Sequence, residues 1–106
     1  MFHLQTSLIW PGCAQGKYII KAKGRILAVL RWGSDKEPLA DWGPFAYVPI
    51  DPAGNGCFFF SGKRGIPKEA THVWARCFSH DFSGFEDACV EIPERYRTDS
   101  AAQSEG

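Results

Sequence analysis

Residues 71–79 alternate with a period of two: Val73, Ala75 and Cys77 fall on one side, and His72, Trp74, Arg76 and Phe78 on the other. Successive side chains of an extended chain point to opposite faces of a sheet, whereas a helix returns to one face only every three or four residues. The alternation recurs along the chain and no helical period competes with it. That restricts the fold to strands meeting other strands.

Turn chemistry divides the alternating stretches into seven expected strands. Residues 2–10 end at Pro11-Gly12, and residues 18–22 follow Gln15-Gly16. In residues 25–32, Ile26, Ala28, Leu30 and Trp32 are expected to share one face, with Leu27 and Val29 on the other. A strand that is apolar on both faces belongs in the middle of its sheet. Residues 45–50 contain Pro49, which cannot donate to a ladder and so marks a sheet edge. Residues 57–61, 71–79 and 86–92 complete the set, the last with Ala88, Val90 and Ile92 on one face. Short strands with no helices between them predict an all-β fold, an antiparallel two-sheet sandwich of about seven strands.

A chain of 106 residues has room for one domain, expected over residues 1–95, with residues 96–106 as a disordered polar tail. Folding at this size buries a little over about 60% of the unfolded surface, enough for a core without metals or disulfides. Eight Phe, four Trp and three Tyr supply its bulk. Lys plus Arg balance Asp plus Glu at 12 each, which argues against binding nucleic acid by phosphate neutralisation and permits self-association, as a monomer or weak dimer. No apolar run reaches the roughly 20 residues of a membrane span, and the N-terminus lacks the basic start of a secretory signal. The expected setting is the cytoplasm. There the four cysteines, Cys13, Cys57, Cys77 and Cys89, read as thiols, with Cys57 and Cys77 buried. Cys77 and Cys89 could still face each other across the last hairpin. No Cys/His spacing of the zinc type occurs, so neither a metal nor another cofactor is expected.

The C-terminal half carries a longer pattern. Phe58-Phe59-Phe60-Ser61 leads through Ile66-Pro67-Lys68-Glu69-Ala70-Thr71 into the strand from His72, and then into His80-Asp81-Phe82-Ser83-Gly84. This resembles a fibronectin type III or immunoglobulin-like domain, in which an aromatic strand turns a Pro-containing corner ending in Thr. Arg76, Asp81 and Gly84 stand where the family places such residues. Val73 occupies the place of the family's core tyrosine, so the tyrosine corner is missing. The Lys23-Gly24 link is short for a connection between sheets and fits a two-residue hairpin instead. The Ile-Pro-x-x-Ala-Thr corner is also similar to one in sandwich domains attached to bacterial calcineurin-like phosphoesterases, without that enzyme's metal-binding motifs. Such a resemblance implies a fold and leaves function open.

Catalysis needs a nucleophile, a base and an orienting group within reach of one another. The six strands before the last contain no Asp or Glu, and no phosphate-binding glycine motif precedes a helix. The chain is therefore read as a non-enzyme. His80, Asp81, Glu86 and Asp87 flank one loop and could in principle meet a cation, though turn hydrogen bonding explains them as well. Lys63 and Arg64, between two glycines, could form an anion-binding nest.

The remaining signal is aromatic. Trp42 and Phe45 flank a Gly-Pro break, while Phe82 and Phe85 sit with His80 and Asp81 in the loop before the last strand. Loops at sandwich ends carry binding functions, and aromatics are common interface anchors. These six residues, Trp42, Phe45, His80, Asp81, Phe82 and Phe85, form the expected partner-binding set. The partner is expected to be another protein, with carbohydrate as a further possibility. The leading reading is an accessory or interaction module; the alternatives are a small stand-alone inhibitor of a host enzyme, of the kind phages make, and an enzyme with an unrecognised site.

Overall fold

The computed structural model describes residues 15–61, 66–92 and 94. They form six strands: β1 (Gln15–Lys21), β2 (Arg25–Gly33), β3 (Ala46–Pro49), β4 (Asn55–Ser61), β5 (His72–Ser79) and β6 (Phe85–Glu91). β1 pairs with β4, and a second sheet runs in the order β3-β2-β5-β6, both antiparallel throughout. The described chain is all-β, with no α-helix, and has no helix long and apolar enough to cross a membrane. The expected first strand at 2–10, Cys13, the Lys63-Arg64 corner and the tail at 96–106 lie outside the described residues.

The six expected strands that fall on described residues coincide with the observed ones within a few residues. β2 lies between β3 and β5, where its two apolar faces suggest it should be, and β3, with Pro49, is an edge. One core cluster draws on both sheets: Tyr18 and Ile20 from β1, Ala28, Leu30 and Trp32 from β2, Val48 from β3, and Val73, Ala75 and Cys77 from β5. Aromatic rings cross it from one sheet to the other. Trp32 stacks on Phe45 at 4.0 Å, Phe45 meets Phe58 edge-on at 6.1 Å, and Phe58 stacks on Tyr18 at 6.2 Å.

Three expectations are corrected. The Lys23-Gly24 link does not close a hairpin, because β1 and β2 belong to different sheets. Arg25 donates its N–H to the Ala22 carbonyl at 3.2 Å, and of the turn's residues only Gly24 takes a positive φ, 83°. Positive φ at the third position alone defines a type II turn, whose twist splays the flanking strands rather than pairing them. The chain thus leaves one sheet for the other in four residues. Second, Ile26 is not on the core face. The β2–β5 register shifts between Arg25 and Leu27, so Arg25 stands opposite Ser79 and Leu27 opposite Phe78. This bulge turns Arg25 inward, 5% exposed, and leaves Ile26 outside at 39%.

Third, Cys57 is exposed. It sits opposite Ile19, on the outer side of the β1–β4 ladder, while the neighbouring Tyr18–Phe58 pair faces the core. Cys77 is buried as expected. It cannot reach Cys89: Cys77 lies on the inner face of β5, opposite Glu86, and Cys89 is exposed on the outer face of β6, opposite Trp74. Brief treatment of the native protein with a thiol reagent, followed by peptide mapping, is expected to modify Cys57 and Cys89 and to reach Cys77 only after unfolding. Partial burial and the Asp35 carboxylate raise the Cys89 thiol's pKa. Since the thiolate is the reacting form, Cys89 should label more slowly than an unhindered thiol. Rapid native labelling of Cys77 would contradict this arrangement.

Candidate functional site: the outer face of the four-stranded sheet

The outer face of the four-stranded sheet has two unlike halves. At one end the 34–42 loop folds back over it. The Trp74 indole donates to the Ser34 carbonyl at 2.7 Å, and Arg31 Nη2 donates to the carbonyls of Leu39 and Trp42 at 2.9 and 3.1 Å. These bonds explain why a stretch that reads as irregular is pinned: two side chains projecting from adjacent strands accept the work of holding three loop carbonyls. Trp42 itself remains 41% exposed and lines a shallow depression of about 310 Å³ with Leu39, Ala40, Asp41 and Glu69.

The other half, beside the β5–β6 hairpin, is uncovered by the described residues. Tyr47, Val29, Arg76 and Asp87 stand in one row across the four strands, and Pro49, Leu27, Phe78 and Phe85 in the next. Tyr47 is 65% exposed and Phe85 49%. Arg76 lies over the Phe85 ring, 3.9 Å from its centroid, and holds Asp87 through two hydrogen bonds of 2.8 and 2.9 Å. The Asp87 bond raises the guanidinium's pKa further, so the charge is fixed. A planar cation stacked on a ring and clamped by a carboxylate loses little further freedom on meeting a partner.

Phe82 completes this half. It is 58% exposed, with its ring 5.8 Å from that of Phe78. Its φ is +60°, the only positive value among the described non-glycine residues. The turn is held by Asp81, whose carboxylate accepts from the Ser83 N–H at 3.0 Å and from the Ser83 and Ser79 hydroxyls at 2.7 and 2.9 Å. The Ser83 bonds and the Ser79 hydroxyl hold that carboxyl far below the usual carboxylate range. The left-handed region costs an ordinary residue roughly 1–2 kcal/mol, which Gly or Asn largely escapes. Stability alone does not select an exposed phenylalanine there.

The expected binding residues therefore divide. His80, Asp81, Phe82 and Phe85 gather at the hairpin end, with Asp81 shaping the loop. Trp42 sits at the opposite end of the sheet. Phe45 is half-buried, stacked on Trp32 and packed against the core. The three carboxylates considered for a cation are each engaged elsewhere: Asp81 bonds the serines, Glu86 bonds Arg25 at 2.6 Å, and Asp87 bonds Arg76. Among the described residues no group of three or more His, Cys, Asp or Glu side chains could hold a metal ion. Tyr47, Ile26, Phe78 and Arg76 were not among the expected residues. Tyr47 was within reach of the sequence, because Ala46 and Val48 turn inward and parity sends it out.

Comparison with models of protein families, with curated proteins and with solved structures finds no match for this chain.

Proposed function

We propose that the chain is a non-catalytic binding module that holds another protein against the hairpin end of its four-stranded sheet. The observation that carries this is Phe82: a bulky apolar side chain kept largely in water, in a backbone conformation that costs energy. Strained residues concentrate where a fold is shaped for contact. Around it, Phe85, Tyr47 and the stacked Arg76 are the residue types that dominate binding energy at protein interfaces. Burying one such ring contributes about 1.5–3 kcal/mol. In this reading the domain is fibronectin type III-like, supported by the pairing of β1 with β4 against a β3-β2-β5-β6 sheet. A reducing, cytoplasmic setting fits the placement of Cys77 and Cys89 on opposite faces.

The test separates binding from stability with one substitution. Phe82→Asn keeps the turn's backbone bonds and suits the positive φ better, so it offsets the lost contact with Phe78. Its melting temperature should stay within about 4 °C of the wild type, the equivalent of less than about 1 kcal/mol. Partner capture from the native host, with the captured protein identified and its binding repeated with purified components, should weaken at least tenfold. A variant that melts early and binds normally would make Phe82 a stability residue and remove the basis for this reading.

A further inference from the structure

The uncovered half of the outer face has a definite size. Four strands spaced at about 4.8 Å put the outer two about 14 Å apart. Taking ~200 Å² for a whole aromatic side chain, Tyr47, Phe82 and Phe85, exposed by 65%, 58% and 49%, present roughly 340 Å² between them. Ile26, Leu27, Val29 and Phe78 bring the patch to on the order of 500–600 Å², short of the ~800 Å² per partner of a standard stable interface and suited to a reversible one. The 34–42 loop, bonded over Trp74, covers the sheet in the other half.

The patch is also matched to itself in charge. A two-fold contact sets the same surface against itself, so a patch of one sign repels its copy. Here the only charges in the two rows are Arg76 and Asp87, directly opposite each other on β5 and β6. Their ion pair is partly exposed, with Arg76 at 38% and Asp87 at 27%. The pair engages Arg76 through Nε and Nη2, leaving the N–H groups of Nη1 for a carboxylate arriving from above. The chain as a whole has a formal net charge of zero, so no long-range repulsion opposes approach.

We infer that a second copy of this chain docks on this half of the sheet, forming a reversible two-fold dimer in which Arg76 of each copy meets Asp87 of the other across a surround of Tyr47, Phe78, Phe82 and Phe85. This rests on the reading of that surface as a contact face and names its occupant.

Sedimentation velocity of the full chain from about 10 μM to about 1 mM covers the affinity range of such a contact. The wild type should pass from monomer to dimer across that range. Arg76→Asp gives a face with two acids and Asp87→Arg one with two bases; each variant alone should remain monomeric. Mixed in equal amounts, the two should associate at least as well as the wild type, because opposite faces now meet. Both sites are partly exposed, so melting temperatures should change little, which keeps loss of dimer distinct from loss of fold. A wild type that stays monomeric to about 1 mM overturns the inference, as does a dimer indifferent to both substitutions. If the wild type is monomeric while Phe82→Asn still loses a purified partner, the contact face stands and its assignment to a second copy falls.

Discussion

Replacing Glu86 by alanine is expected to lower the stability of the fold by about 3 kcal/mol, the lower end of what removing the partner of a buried charge costs. For a domain of this size that is a fall of roughly 12–24 °C in melting temperature. The cause lies with its partner. The bulge at Ile26 turns Arg25 into the interior, where its side chain is 3% exposed, and Nη2 reaches Glu86 Oε1 at 2.6 Å. Removing Glu86 takes the carboxylate from a guanidinium that water barely reaches. The reverse change, Arg25→Met, should cost less, because Glu86 is 36% exposed and can rehydrate. The double variant Arg25→Met with Glu86→Leu should recover most of the loss, since apolar replacements of buried pairs are commonly neutral or better. Melting curves of the three variants decide it: if Glu86→Ala melts within about 3 °C of the wild type, the pair does not hold this end of the sheet.

That ion pair was not readable in advance, and the reason is specific. Alternation located β2 well, but a bulge inserts one residue, and the apolar positions Ile26, Leu27 and Ala28 give no sign of which is the extra one. The strands themselves were legible because Gly and Pro punctuate them and their inward positions, such as Val73, Ala75 and Cys77 of β5, are apolar at every second residue. Pairing was less so. The short Lys23-Gly24 link suits a hairpin by length, and only the backbone angle at Gly24 sends the chain to the other sheet. The outward placement of Cys57 is hidden in the sequence because Cys57-Phe58-Phe59-Phe60 is apolar at every position, which masks the parity that Tyr18 imposes from across the ladder.

The candidate site was legible in its loop and not on its sheet. Phe82 and Phe85 stand out in sequence as aromatics beside turn residues. Which residue of the loop takes the left-handed conformation does not: Gly84 is the natural candidate, yet Phe82 adopts it. Arg76 over Phe85 requires the β5–β6 register, a long-range fact that puts two residues nine positions apart side by side.

Trp32→Ala is expected to be the most damaging single truncation in the core, costing about 4 kcal/mol. Trp32 is 2% exposed and is the largest of the fully buried side chains. It also begins the run of rings through Phe45 and Phe58 to Tyr18 that joins the two sheets, so its loss opens a cavity that strand backbones on both sides cannot collapse into. Phe45, half-buried above it, should cost about 2 kcal/mol when cut to alanine, less than a fully buried ring. The two are stacked at 4.0 Å with planes 8° apart, so their effects should not add. The double variant is expected to lose roughly 1 kcal/mol less than the two single losses combined, which is the size of a direct aromatic contact. This cycle also decides what Phe45 is for. A stability cost with coupling to Trp32 makes it a core residue and leaves Trp42, exposed on the bonded loop, as the contact candidate at that end among the described residues. If Phe45→Ala is neutral in stability and uncoupled from Trp32, its ring belongs to a binding surface instead, and the candidate interface extends over both ends of the sheet.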